Sequence, residues 1–212
     1  MVLTKLPGTS LFEQPSADPL TLIEPLSAFI AALQSVSVGR VQTITDRGHP
    51  GLGVYLEEAE RVWPLVSGCL SRDRRRAVEA FLQAELPREP RVLTFCHNDL
   101  GAEHLLATSD GTVLTGVIDW FDATVADPAR DLGLILRDIG PVVANAIVRR
   151  TNAADDDALV ARAVFYARCA LLEDLPYGLR TSRPPYVEHA VRHFWRTFTR
   201  HAFLIATAVV VS

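Results

Sequence analysis

The segment "FCHNDLGAEHLLATSDGTVLTGVIDWFDATVADPARDLG", residues 95–133, gathers His97, Asp99, His104, Asp119, Asp122, Asp127 and Asp131 among apolar and small residues. Imidazoles and carboxylates together can hold a divalent cation, and a carboxylate facing a cleft can accept a proton. Their spacing decides whether they can act jointly. Asp99 follows a strand-like run, two residues after His97, and His104 comes five residues later. "HLLAT", the glycine turn Ser109-Asp110-Gly111 and "TVLTGVID" read as a β-hairpin. A hairpin sets the start of its first strand beside the end of its second. His104 and Asp119 therefore approach each other, with Asp99 on the loop just before: two metal-ligand candidates and a free carboxylate.

The elements around this hairpin read as helices. Asp18-Pro19 reads as an N-cap with proline in the first turn, heading a helix that ends near Gln34. Residues 37–53 are loop-like. Residues 54–70 read as a helix, with Pro64 inside it, and Ser71 as the cap of "RDRRRAVEAFLQAEL". "RVLTFC" is β-rich. Asp127-Pro128 and Pro141 each open a helix, Asp155 to Asp157 head "ALVARAVFYARCALLEDL", and Glu173-Asp174 end that helix before Pro176. A last long helix runs through "PPYVEHAVRHFWRTFTRHAFL". On it Phe194, Trp195 and Phe198 read as core. His189 and His193, four apart with His201 further on, read as surface or packed histidines, since Glu188 precedes the pair and no H-E-x-x-H pattern forms.

The chain has 212 residues, 49% of them hydrophobic and 22% charged, in the range of a globular protein. A net charge of -4 gives no electrostatic case for nucleic-acid binding. The three cysteines, Cys69, Cys96 and Cys169, are odd in number and set in apolar surroundings, which reads as reduced, buried thiols of a cytoplasmic protein. No secretory leader is visible, and the run "AFLIATAVVV" is about half the roughly 20 residues that span a bilayer. It reads as the buried end of a helix or a strand-like tail. The Arg72, Arg74, Arg75 and Arg76 run reads as a solvated helix face.

"HNDLGAEH" followed by "VIDW" and "DWFDATVADPARDL" resembles the catalytic core of the aminoglycoside and macrolide phosphotransferase family, small-molecule kinases of protein-kinase-like fold. The pattern is H-x-D-x-x-x-x-N with a later metal-binding aspartate. The opening "VLTKLPGTSL" resembles the family's hinge between lobes, so residues 1–15 are expected to be a hinge-like segment and 16–212 a helical catalytic lobe. The expected class is mainly α with a small β-hairpin element, α+β overall.

The resemblance implies roles. Asp99 would accept or orient the proton of the hydroxyl being phosphorylated, and Asp119 would bind the divalent ion that bridges the phosphates of ATP or GTP. His104 stands where most members carry asparagine as a second metal ligand. Mg²⁺ prefers oxygen donors, and imidazole suits Mn²⁺ better. His97 and Asp131 would brace the catalytic loop. Leu105, Leu106 and Ile118 would floor the nucleotide base. Glu173 and Asp174 would receive a cationic acceptor, an aminoglycoside or macrolide, and the alternative for them is an exposed helix end. Asp127 reads as an N-cap, and Asp122 is open.

The resemblance also implies a smaller lobe ahead of the hinge, carrying a glycine-rich loop and a lysine paired to a helical glutamate. Lys5 is the sole lysine of the sequence. The sequence thus reads as the C-terminal lobe alone, weak or inactive, with self-association expected through the exposed inter-lobe surface. Two other functions fit the same residues: a non-catalytic binding module, and a metal-dependent hydrolase with His97, Asp99, His104 and Asp119 as a binuclear cage.

Overall fold

A computed structural model describes residues 5–45, 48–151, 156–181 and 183–199. The run 202–211, His201 and Asp155 lie outside the described residues. The centre of the chain forms two small antiparallel sheets. In the first, β1 (Thr9–Ser10) pairs with β3 (Leu105–Ala107), and β3 pairs with β4 (Leu114–Val117) in the register Leu105 to Val117. The hairpin expected around Ser109-Asp110-Gly111 is therefore β3–β4, with Gly111 at φ 69° in its turn. Gly8, at φ 111°, lets the incoming chain lie flat on this sheet: a Cβ there would sit 2.6 Å from the Ala107 carbonyl oxygen. In the second sheet, β2 (Thr94–Cys96) pairs with β5 (Thr124–Ala126), matching Cys96 to Thr124.

Helices enclose these sheets. After a 3-10 turn at Pro19–Leu22, where Asp18 Oδ1 accepts from the Leu20 amide, come α1 (Ile23–Gln34) and a short α2 (Val38–Val41) inside the expected loop. α3 (Leu52–Val66) carries Pro64 in its last turn, where the helix is ending. α4 (Arg72–Leu82) turns Val78 and Phe81 inward, and its N-cap Ser71 makes no side-chain capping bond. α5 (Ala129–Asp138), α6 (Pro141–Arg150), α7 (Leu159–Arg180) and α8 (Pro184–Phe198) complete the described chain. α7 departs from expectation: it continues through Pro176 to Arg180, so Glu173 and Asp174 lie within the helix rather than at its end.

The core sits where α5 crosses α7. Leu132, Ile135, Leu136, Ala163, Ala167 and Leu171 are fully buried there, and each large aliphatic side chain contributes roughly 1.5–3 kcal/mol of burial. Gly133 permits the close crossing, since a Cβ would lie 2.6 Å from the Ala163 carbonyl oxygen. Asp127, just ahead of α5, accepts from the Ala129 amide at 3.0 Å and pairs with Arg162 of α7 at 2.6 Å. Both side chains are sealed, so the pair fixes the start of α5 against α7. Cys96 and Cys169 are buried, while Cys69 is exposed at the end of a 3-10 turn, contrary to expectation. Phe194 and Phe198 are core, but Trp195 is 45% exposed because it lies on the outer face of α8.

Candidate active site

The chain leaves β2 into the loop His97–Asn98–Asp99. Asp131, in the first turn of α5, holds this loop: its Oδ2 accepts from the His97 amide at 2.9 Å and its Oδ1 from the Asn98 amide at 2.7 Å. Burial pushes the Asp131 carboxyl up to about 6, against the pull of the two amides. Asn98 adopts φ 67°, a left-handed conformation that asparagine tolerates better than most residues. The His97 side chain is buried. Its Nε2 lies 3.0 Å from the Ile118 carbonyl oxygen, which can only accept, so Nε2 carries the proton. Burial holds its pKa below the usual histidine value, which keeps the ring neutral. His97 thus ties the loop to the strand that leads to Asp119.

His104 opens β3. Its Nδ1 donates to the Asp99 carbonyl at 2.7 Å, and its Nε2 lies 3.7 Å from Asp119 Oδ2. The Asp99 carboxylate comes within 3.4 Å of the same ring. Asp119, at φ 61°, turns the chain out of β4 so that its carboxylate, 58% exposed, faces the ring. The structure therefore brings Asp99, His104 and Asp119 together. Burial raises the Asp99 pKa, and the His104 ring opposes this.

The hydrogen bond to Asp99 has a further consequence. Donation from Nδ1 fixes the ring so that Nε2 faces a carboxylate too far away for a direct hydrogen bond. An imidazole nitrogen and a carboxylate oxygen 3.7 Å apart are both donor types that hold a divalent cation.

The trio lines a cleft of about 850 Å³ with Glu103, Glu173 and Asp174. A second hollow of about 780 Å³ has Leu106 and Ile118 in its wall. Leu105 does not belong to that surface. Side chains alternate along β3, and Leu105 points into the core, fully buried. Glu103 and Tyr186 line both spaces, and the Tyr186 hydroxyl donates to Glu103 Oε2 at 2.7 Å.

Asp174 pairs with Arg137 Nη1 at 3.0 Å, and Arg137 is held by Asp138 through Nε at 2.5 Å. Burial outweighs this shared arginine and pushes the Asp174 carboxyl up to about 7, and it raises Glu173 also. Sequence reasoning missed Arg130. Its Nε donates to the Asn98 carbonyl at 2.8 Å, and its guanidinium lies 4.6 Å over the Tyr55 ring, in the wall of the cleft. Its place beside Asp131 in "DPARDL" was the available signal.

A binuclear cage does not form here. His97 Nε2 is occupied by the Ile118 carbonyl, and the His97 and His104 ring centres are 6.1 Å apart. Among the described residues, the one group of three metal-ligating side chains that converges lies elsewhere, at Asp138, His189 and His193.

Comparison with known proteins defines the class. The chain is similar in fold to aminoglycoside 2'-phosphotransferase-IIIa in its GDP complex, at 20% identity and a TM-score of 0.65, covering 91% of this chain and 68% of that one. It is also similar to macrolide 2'-phosphotransferase type I, at 16% identity and a TM-score of 0.61, covering 91% and 67%. A third is the macrolide 2'-phosphotransferase of Brachybacterium faecium, at 19% identity and a TM-score of 0.55, covering 92% and 68%. The fold is thus a helix-rich α+β lobe of the kinase-like type. The family model for the phosphotransferase enzyme family matches residues 1–166, and the chain belongs to that family. Among curated protein sequences, none matches. Among the described residues, no helix is long and apolar enough to cross a membrane.

Proposed function

We propose that this chain is the catalytic lobe of a small-molecule O-phosphotransferase that moves the γ-phosphate of ATP or GTP to a hydroxyl of an amine-bearing acceptor of aminoglycoside or macrolide type. The observation that carries this reading is the convergence of Asp99, His104 and Asp119 at one cleft, with His104 Nε2 facing the Asp119 carboxylate at 3.7 Å. The donor set fits Mg²⁺ or Mn²⁺, with the imidazole favouring Mn²⁺. Held by Asp119 and His104, such an ion would offset the charge of the nucleotide phosphates.

The remaining roles fall to the chain itself. Asp99, with its pKa raised by burial, is placed to orient the acceptor hydroxyl and take its proton. Asp131 and His97 fix the loop that carries it. Leu106 and Ile118 supply an apolar wall for a purine. Glu57, Glu58, Glu103, Glu173 and Asp174 outnumber Arg61, Arg130 and Arg180 around the cleft, and Arg61 is itself paired with Glu58. That balance favours a cationic acceptor over an anionic one.

Calorimetry with ATP or GTP and Mn²⁺ or Mg²⁺ tests the proposal. Nucleotide binding that requires the metal and disappears in Asp119→Ala is the expected result. An amine ligand that binds without any nucleotide binding would replace it with a non-catalytic module.

A further inference from the structure

A second constellation lies between α5 and α8. Asp138 ends α5, and His189 and His193 stand one turn apart on α8. The three offer ligand atoms that all lie within 4.8 Å of one another. His189 Nε2 is 3.7 Å from Asp138 Oδ1, and the two imidazole centres are 4.1 Å apart. Both histidines are 9% exposed, and each has a buried Nδ1 with no hydrogen-bond partner. A hollow of about 230 Å³ opens onto all three, with Ser16 in its wall, and the buried Ser16 hydroxyl likewise has no partner. Three ligand-type side chains converging on one small space, with three buried polar atoms around it left unpartnered, call for an occupant.

We infer that Asp138, His189 and His193 bind one borderline transition-metal dication, Zn²⁺ by the chemistry of the donors, and so tie α8 to α5. Two imidazoles and a carboxylate are a zinc-type set, and imidazole disfavours Mg²⁺ and Ca²⁺. Asp138 retains capacity for the ion. Its Oδ2 is saturated by the Ala102 amide at 2.7 Å and Arg137 Nη2 at 3.0 Å, whereas Oδ1 accepts only Arg137 Nε and keeps a lone pair toward His189. Burial holds both histidines in the neutral, ligating form, with His193 lowered to about 3. The surrounding charge is mixed. Arg137 sits between Asp138 and Asp174, which leaves one net negative charge in that trio when both carboxylates are ionised. Arg192 and Arg196 line the hollow and oppose a cation. The site is therefore one of moderate affinity. It is separate from the Asp119 and His104 pair and does not depend on the phosphotransfer reading.

Co²⁺ titration of the chelator-stripped chain tests the inference. The expected result is a single Co²⁺ per chain with visible ligand-field bands, displaced by Zn²⁺ and not by Mg²⁺. His193→Gln should weaken binding by more than about 100-fold, beyond the loss typical of removing an outer-shell partner. His193→Cys should keep binding and add a thiolate charge-transfer band. Arg192→Gln should tighten it about two- to fivefold. Asp119→Ala should leave the bands intact. If His193→Gln does not fold, a zinc-induced rise in the Tm of the unaltered chain that His193→Cys retains supports the site. Absence of both bands and Tm rise, or bands that survive His193→Gln and vanish in Asp119→Ala, overturns it and leaves ordered water as the occupant.

Discussion

Asp174 offers a way to measure the character of the cleft without a substrate. Its carboxyl is pushed up to about 7 from an ordinary 3.8, because burial outweighs an arginine that Asp138 already engages. A pKa above the unfolded value means that folding favours the protonated acid. That contribution is complete below pH 3.8 and is lost as the pH rises through about 7. A gap of about three pH units, at about 1.4 kcal/mol each, sets a ceiling near 4 kcal/mol. Asp174→Asn keeps a side-chain oxygen for Arg137 Nη1 and removes the titration. We predict that the stability of this variant relative to the unaltered chain rises by about 2–4 kcal/mol between pH 4 and pH 8. Urea unfolding at a series of pH values reads this difference, and the subtraction cancels the other carboxyls, including Asp131. A difference that stays flat to within about 1 kcal/mol would refute the claim that burial outweighs Arg137 at this position.

Other perturbations follow from contacts already described. Arg162→Met should destabilise by about 3–5 kcal/mol, since it leaves the sealed Asp127 carboxyl without its guanidinium partner, and the double variant Asp127→Asn/Arg162→Met should recover at least half of that loss in urea unfolding. Gly133→Ala should cost about 1–3 kcal/mol by forcing α5 away from the Ala163 carbonyl, read as a lowered Tm. His104→Asn replaces the imidazole donor with an oxygen, so calorimetric nucleotide binding should shift its metal preference from Mn²⁺ toward Mg²⁺.

The part of the site built by local pairing was legible in the sequence. A glycine turn between two apolar runs is a strong hairpin signal, and the hairpin alone brings His104 to Asp119. The loop brace at Asp131 was readable only through resemblance, because 34 residues separate it from the His97 amide that it holds. Contacts between distant helices were not legible. Asp138 looks like an ordinary last-turn residue of α5, and no local spacing ties it to His189 of α8. Pro176 misled for a physical reason. Proline normally ends a helix by clashing with the preceding turn, yet α7 runs on through it, with Leu175, Pro176 and Gly178 buried. The β5 strand was likewise hidden, since "TVA" is too short to show alternation and is defined by its partner Thr94–Cys96.

The Tyr186 to Glu103 hydrogen bond stands where the two chambers meet. Tyr186 rides on the same helix as His189, three residues away, so the boundary cannot shift independently of the α8 backbone. Any tilt of that rod reshapes both compartments at once, and because His189 also walls the second of them, whatever holds His189 bears on that compartment directly.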